Sequence, residues 1–296
     1  MNTHWETVAV IGTGRMGAAM IGRLRSGGAD VIVYNRTRAR AEKVASQTGA
    51  DVADTAREAA SSAGTVLVSL ADDRAVEEMY TADEGIIAGL NPGTVVADTS
   101  TIDPQTAQRI AKLVEEARAG HLDAPVSGSV SVVERGELTI MAGGRDDDLD
   151  AARPVLDILA THIFHMGDHG TGAAMKLAVN AVVGALNFAI AEALVLAEKV
   201  GIERSTAYEV FASSAVAAPY VLYKRQAFEH PDDTPVAFSL NLIAKDLDLV
   251  LELARRVGSP MEQAAANRKA VQQALDAGYG EADLSAIAQF LRQQHR

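Results

Sequence analysis

Residues 8–28, VAVIGTGRMGAAMIGRLRSGG, run a short β-branched segment directly into three glycines spaced Gly12-x-Gly14-x-x-Gly17, then into a helical pattern. Few sequence features constrain a fold as tightly. The first glycine permits a tight turn, the second lets backbone approach a pyrophosphate, and the third lets helix and strand pack closely. The start of the following helix offers unpaired N–H groups and the positive end of its dipole to phosphate. Strand, turn and helix in this order predict a dinucleotide-binding βα unit, with Gly12, Thr13, Gly14, Arg15, Met16 and Gly17 as the cofactor turn. An ordinary glycine-rich turn is the bland alternative.

The rest of the chain reads in two halves. From Val8 to about His165, short apolar runs (VAVI, DVIVYN, TVLVSL, TVVADTS, HLDAPVS, ELTIMAGG) alternate with helical stretches such as RMGAAMIGRLRSG and TRARAEKVASQ. Such alternation implies a mostly parallel sheet with helices on both faces. Beyond His165 the pattern is helical, in AAMKLAVNAVVGALNFAIAEALVLAEKV, LNLIAKDLDLVLELARRV and PMEQAAANRKAVQQALDAG. The glycine-marked MGDHGTG stretch suggests a boundary. The expected architecture is therefore α/β: an N-terminal Rossmann-type doubly wound sheet over 1–167, followed by an all-α C-terminal domain over 168–296.

The end of the second strand bears on cofactor choice. An NAD binder usually ends it with an acid that accepts hydrogen bonds from the ribose hydroxyls. Here VIVYNRT places Asn35, Arg36 and Thr37 there. A neutral amide does not repel a 2′-phosphate, and Arg36 can pair with one through two charge-assisted bonds. The expected cofactor is NADP(H), the alternative for Arg36 being a solvated position at a helix start.

Composition narrows the partners. Lys plus Arg number 27 against 39 Asp plus Glu, a net charge of −12 over 296 residues. That balance argues against nucleic acid, which favours a basic face. With no cysteine, disulfides and thiolate metal sites are excluded, and no metal site is expected. The opening MNTHWETVAVIG lacks a basic-then-apolar leader, and the longest apolar helix carries Lys176, Asn180, Asn187 and Glu192, a poor membrane span. A cytoplasmic protein that does not cross a membrane is expected.

Within that helix, Lys176 is the only ionisable side chain from Ala173 to Ala191. A lysine can bury its stem and lead its ammonium to water. At about 100° per residue, however, Lys176, Asn180 and Asn187 share one stripe. Buried polar groups need partners, so the stripe points to a polar site.

Four blocks carry a resemblance to the β-hydroxyacid dehydrogenase family, which includes 3-hydroxyisobutyrate dehydrogenases and glyoxylate or succinic semialdehyde reductases: GTGRMG at 12–17, DAPVSG at 123–128, GTGAAMKLAVN at 170–180, and Lys245-Asp246 in FSLNLIAKDLDL. A late GYGEADLSA also fits, and the resemblance covers nearly the whole chain. It implies that Lys176 is the proton donor or acceptor, that Ser127 and Gly128 bind a substrate carboxylate, and that Asn180 orients the substrate or the lysine. Lys245 would approach nicotinamide and substrate. Thr101 would contact the nicotinamide side, with a helix cap ahead of Pro104 as its alternative role. Leu70 and Ala71 would lie over the cofactor or simply pack at a strand end. The resemblance implies a homodimer or higher homo-oligomer through the helical domain.

The chemistry agrees with those roles. Hydride transfer to a carbonyl leaves a developing alkoxide that needs a proton donor, and desolvation in an apolar helix lowers a lysine pKa toward the useful range. The chain departs from the family where Ser129 and Val132 replace glycines of the substrate loop; side chains there would narrow it, and Val resists positive φ. Val179 also replaces an Asn often found beside Asn180. Expected function is NADP(H)-linked hydride transfer on a small β-hydroxyacid, semialdehyde or α-keto acid. The alternatives are an imine reductase of the same fold, against which the retained Lys176 argues, and a non-catalytic dinucleotide-binding protein.

Overall fold

A computed structural model describes residues 7–294; the leader reading of MNTHWE falls outside that span. Nine strands form one sheet: β1 (Val8–Ile11), β2 (Val31–Tyr34), β3 (Asp51–Val52), β4 (Thr65–Val68), β5 (Val95–Asp98), β6 (Gly120–Asp123), β7 (Val126–Ser127), β8 (Leu138–Gly144) and β9 (Ala160–Gly167). Between them run α1 (Arg15–Ser26), α2 (Arg38–Thr48), α3 (Ala56–Ser61), α4 (Asp73–Thr81), α5 (Ile86–Gly89), α6 (Pro104–Glu116), α7 (Val130–Arg135) and α8 (Asp146–Leu159). The remainder is helical: α9 (Thr171–Lys199), α10 (Arg204–Ser213), α11 (Pro219–Glu229), α12 (Leu240–Val257), α13 (Glu262–Asp276) and α14 (Ile287–Gln293).

The strand order is β3-β2-β1-β4-β5-β6-β8-β7, with β9 paired to β8. The first six of these strands are parallel, whereas β8 runs antiparallel to β6 and β7. This is the expected doubly wound sheet with an antiparallel extension. Strand β1 explains the two-sided burial: Val8 and Val10 enter one apolar cluster while Ala9 and Ile11 enter the other. All four are at most 1% exposed, as a central parallel strand covered by helices on both faces requires. The HLDAPVS run is not one strand. It breaks at Ala124-Pro125 into β6 and β7, since proline cannot donate to a ladder. The runs read as strands also omit the two-residue β3 and β9, whose ATHIFHMG follows a buried Ala160 with exposed and half-buried positions that show no clear alternation.

Two compact units divide the chain, one ending at Lys176 and the other beginning at Leu177. The glycine-marked stretch 167–170 lies inside the first. Ala173, in the first turn of α9, is 1% exposed and belongs to an apolar cluster of the sheet unit. The second unit has its own core, built from Leu177, Phe188, Leu194, Tyr208, Phe228, Leu247, Val271 and Ile287 among others.

Charges inside that helical core are paired. Lys224 Nζ lies 2.6 Å from Asp283 Oδ1, with the two residues 4% and 8% exposed. Asp283 also accepts from the backbone N–H of Ala237, at 2.9 Å, and of Ser285, at 3.0 Å. Burial pushes its carboxyl up, but the Lys224 ammonium and the Ser285 donors outweigh that and hold it below the ordinary value of 3.8. The pair's stabilisation is therefore present above pH 3.8 and lost as pH falls below it. Lys224→Met should lower unfolding free energy by about 3–5 kcal/mol, because it strands a buried carboxylate. Urea denaturation at pH 7 should read this loss, and adding Asp283→Asn should restore part of it.

Candidate active site

The glycine turn sits where strand order reverses, at the carboxyl ends of β1 and β4, the usual ligand crevice of a doubly wound sheet. Gly12 adopts φ +102°, and a Cβ there would run into the Ser69 carbonyl oxygen. A Cβ on Gly17 would overlap the Gly12 carbonyl oxygen. Both positions therefore admit only glycine. Around Gly14, by contrast, nothing lies within 4 Å of a Cβ position.

Helix α1 begins after Gly14 with no side-chain cap and no acid in its first turn, so its leading N–H groups remain available to an anion. Thr13 is 8% exposed, yet its buried Oγ1 has no hydrogen-bond partner among the described residues. An open cradle at Gly14, an orphaned hydroxyl and an uncapped helix start fit a dinucleotide pyrophosphate. Arg15 is exposed and Met16 half-buried beside them.

Asn35 ties the second strand to this turn. Its Oδ1 accepts from the Thr13 N–H at 3.2 Å, and its Nδ2 donates to the Thr37 carbonyl at 3.0 Å. Arg36 next to it is exposed and makes no side-chain hydrogen bond or ion pair among the described residues. Leu70 packs against an apolar cluster at the end of β4, its Cδ2 is 3.2 Å from a Cβ position on Gly12, and its N–H donates to Ser100 Oγ at 2.9 Å. Ala71 is exposed and Thr101 half-buried. Thr101 does not cap α6: Asp103 does, accepting from the Gln105 N–H at 2.7 Å with Pro104 in the first helical position. Asp is among the strongest caps and stands directly before that proline.

Ser127 ends β7 half-buried, and Gly128 follows with φ +144°. Val132 Cγ1 lies 2.8 Å from where a Gly128 Cβ would be, so with Val at 132 this turn has room only for glycine at 128. The expected backbone conflict does not arise. Val132 lies within α7, and Arg118 is the only non-glycine residue with positive φ among those described. Ser129 Oγ pairs with Ser131 Oγ at 2.9 Å.

The polar stripe on α9 resolves into separate roles. Lys176 is half-buried. Asn180, 7% exposed, donates from Nδ2 to Asp246 Oδ2 at 2.6 Å, and Lys245 Nζ lies 3.0 Å from Asp246 Oδ1. Asn187 is not part of a site. It is fully buried, accepting from the Tyr220 hydroxyl at 2.8 Å and donating to the Leu284 carbonyl at 3.0 Å, so it joins three helical-core segments. Asp246 had no role in the sequence reading. Its signal is an acid at position 246 on the buried 243–247–250 face of α12. Asp123 is the other omission. Its carboxyl is pushed up to about 6, chiefly by burial, against the hydrogen bonds it accepts from the Gly170 and Ala173 N–H groups.

Comparison with known proteins decides the family. Residues 7–167 match the NAD binding domain of 6-phosphogluconate dehydrogenase, and residues 170–291 match the NAD-binding domain of NADP-dependent 3-hydroxyisobutyrate dehydrogenase. The chain belongs to the 3-hydroxyisobutyrate dehydrogenase family. It is 32% identical to glyoxylate/succinic semialdehyde reductase 2 of Arabidopsis thaliana, over 97% of this chain and 79% of that one. The Mycobacterium tuberculosis 3-hydroxyisobutyrate dehydrogenase solved with L-serine is 31% identical, with TM-score 0.83 over 97% and 99% of the chains. Psf3, solved with NADP+ and 2-OPP, is 26% identical with TM-score 0.88 over 96% and 99%. An imine reductase from Pseudomonas sp., 22% identical with TM-score 0.65 over 97% and 99%, shares the fold alone. As a member of this dehydrogenase family the chain is a dinucleotide-binding oxidoreductase.

The two glycines of the turn should separate folding from binding. Gly17→Ala should cost about 1–3 kcal/mol by overpacking and lower the melting temperature. Gly14→Ala should melt like the parent yet lose nicotinamide dinucleotide binding in a fluorescence titration with NADH and NADPH, since its Cβ enters only the open cradle.

Proposed function

We propose that this protein is an NADPH-dependent reductase of a small carbonyl acid, a semialdehyde or α-keto acid, acting reversibly on the corresponding hydroxyacid, with Lys176 as the proton donor. The observation that carries this reading is Lys176 itself: a half-buried lysine with no other ionisable side chain between Ala173 and Ala191, in the first turns of α9. The bound nicotinamide supplies the hydride. Lys176 gives a proton to the developing alkoxide in reduction and takes it back in oxidation. Ser127 and the Gly128 N–H hold the substrate carboxylate. Asn180 orients the reacting centre, and Asp246 restrains both the Asn180 amide and the Lys245 ammonium.

NADP is favoured over NAD because the Asn35 amide is already engaged at Thr13 and Thr37, while Arg36 stands exposed beside it. Thr37, Leu70, Ala71 and Thr101 complete the cofactor contacts, and Psf3 with NADP+ bound supports the preference. In this reading residues 1–167 hold the cofactor, and residues 168–296 supply helical substrate contacts and the faces of a homodimer or larger oligomer. Val182, Leu196 and Val200, 59%, 66% and 71% exposed, leave apolar surface for a second subunit. Thr171–Lys199 is long and apolar enough to cross a membrane; we read it as a core and contact helix of a cytoplasmic enzyme. Retained Lys176 weighs against an imine reductase. Turnover of glyoxylate or succinic semialdehyde would separate an enzyme from a non-catalytic dinucleotide-binding protein.

Two substitutions test the reading. Lys176→Met keeps most of the stem volume and removes the charge; kcat should fall by about 10²–10⁴-fold while NADPH binding survives. An unchanged kcat in the folded variant overturns the lysine role. Arg36→Ala should weaken NADPH by about one to two decades, the equivalent of losing a charge-assisted phosphate contact, and leave NADH affinity nearly unchanged. Equal losses for both cofactors refute the NADP preference.

A further inference from the structure

Helix α9 starts without a cap of its own. Gly170 precedes its first turn with φ +90°, and a Cβ there would lie 2.9 Å from the Pro104 carbonyl oxygen. Ordinary helices satisfy the leading N–H groups with a Ser, Thr, Asp or Asn side chain at that position, often aided by a carboxylate three residues on. Neither is possible here, because Gly170 and Ala173 occupy the two places. The missing acceptor comes from a different element. Asp123, at the end of β6 and 1% exposed, accepts from the Gly170 N–H through Oδ1 at 2.8 Å and from the Ala173 N–H through Oδ2 at 2.7 Å. One carboxylate thus does the work of both halves of a capping box, at the positive end of a 29-residue helix.

The junction has no slack. A Cβ on Gly143 would lie 2.7 Å from Asp123 Oδ1, and one on Gly172 would lie 2.8 Å from the Gly143 N–H nitrogen. Backbone of β8, carboxylate of β6 and the first turn of α9 are in mutual contact. Lys176 follows Ala173 by three residues, about one helical turn.

We propose that Asp123 is a positioning residue for Lys176, its buried carboxylate fixing the turn of α9 from which the lysine projects. This rests on the reading of Lys176 as proton donor. A purely packing role would be met as well by a neutral side chain, and better in energy, because burial makes the charge costly here. Burial pushes the Asp123 carboxyl up to about 6 in spite of its two N–H donors. Above pH about 6 both oxygens accept. Below it one becomes a hydroxyl facing an N–H, and one cap bond weakens.

Several ionisable groups lie around Asp123. His121 on the same strand is pushed down to about 3 by burial. Asp98, its register partner on β5, holds the Ser100 N–H and the Tyr80 hydroxyl and is itself pushed up by burial. From α8, Asp148 is also pushed up by burial. His169 and Asp168 precede α9, and His169 favours the charged carboxylate; β8 brings no ionisable side chain. The sign for stability is opposite to that for activity. A raised carboxyl favours the folded state as pH falls through about 6, so this group does not lower the melting temperature there.

The experiment compares wild type, Asp123→Asn and Lys176→Met for NADPH-linked reduction of glyoxylate and succinic semialdehyde from pH 5 to 9. Melting temperatures and hydrogen exchange over residues 168–177 are measured alongside, the exchange needing no substrate. The Asn amide keeps the shape but offers one acceptor and turns a donor toward an N–H. Asp123→Asn should lower kcat about 10–100-fold, the scale of a small misplacement of a reacting group. It should leave KM for NADPH and melting temperature unchanged, abolish the acid limb of kcat near pH 6, and speed exchange at the start of α9. Parent-like kcat with the acid limb intact, or unchanged exchange, overturns the proposal. So does a parallel loss of kcat, melting temperature and NADPH binding, which marks a merely structural role. Full activity of Lys176→Met instead overturns the reading of the lysine, and with it the target that Asp123 positions.

Discussion

The approach of Gly17 to the carbonyl of Gly12 is the contact on which the cofactor half of the molecule depends. Any side chain at Gly17 would overlap that oxygen. Helix α1 can therefore leave β1 at close range only because Gly17 lacks a Cβ, while a Cβ on Gly12 would meet the Ser69 carbonyl oxygen. The closeness aims the uncapped start of α1 across the carboxyl end of the sheet, where unpaired N–H groups and the helix dipole meet phosphate. The Asn35 bond to Thr13 then holds the turn against the end of β2. Without that backbone contact the same residues would make a glycine-rich loop with no fixed direction.

Buried polar groups are treated in two ways. Where a residue serves the core, its partners are complete. Asn187 is held by Tyr220 and Leu284, and Asp283 by Lys224, Ser285 and Ala237. Where the chemistry is expected, the account is left open or tense. Thr13 Oγ1 has no partner among the described residues, the Asp123 charge is kept at a desolvation cost, and Asp246 draws in both Asn180 and Lys245. Unpaired or costly polar groups persist where function repays their cost.

Local patterns made much of this legible. The glycine spacing after a β-branched run, the two-sided apolar strands and the lone lysine of α9 are each features of a few consecutive residues, and each follows from backbone sterics or periodicity. Periodicity also misled. It put Asn180 and Asn187 on one stripe, because a helix repeat reports direction around an axis and not what lies opposite. Thr101 looked like a cap because Pro104 marks a helix start nearby; the choice between it and Asp103 depends on the turn that joins β5 to α6.

Sequence by itself determined the class of fold and the dinucleotide turn, since these rest on short-range geometry that few residue types satisfy. Tertiary structure alone decided which acid serves which helix. Asp123 and Gly170 are 47 positions apart, and Asn180 and Asp246 are 66 apart. No local spacing encodes either pair; each exists because packing of the sheet, or of the helical core, removes water and leaves a carboxylate one set of donors to satisfy.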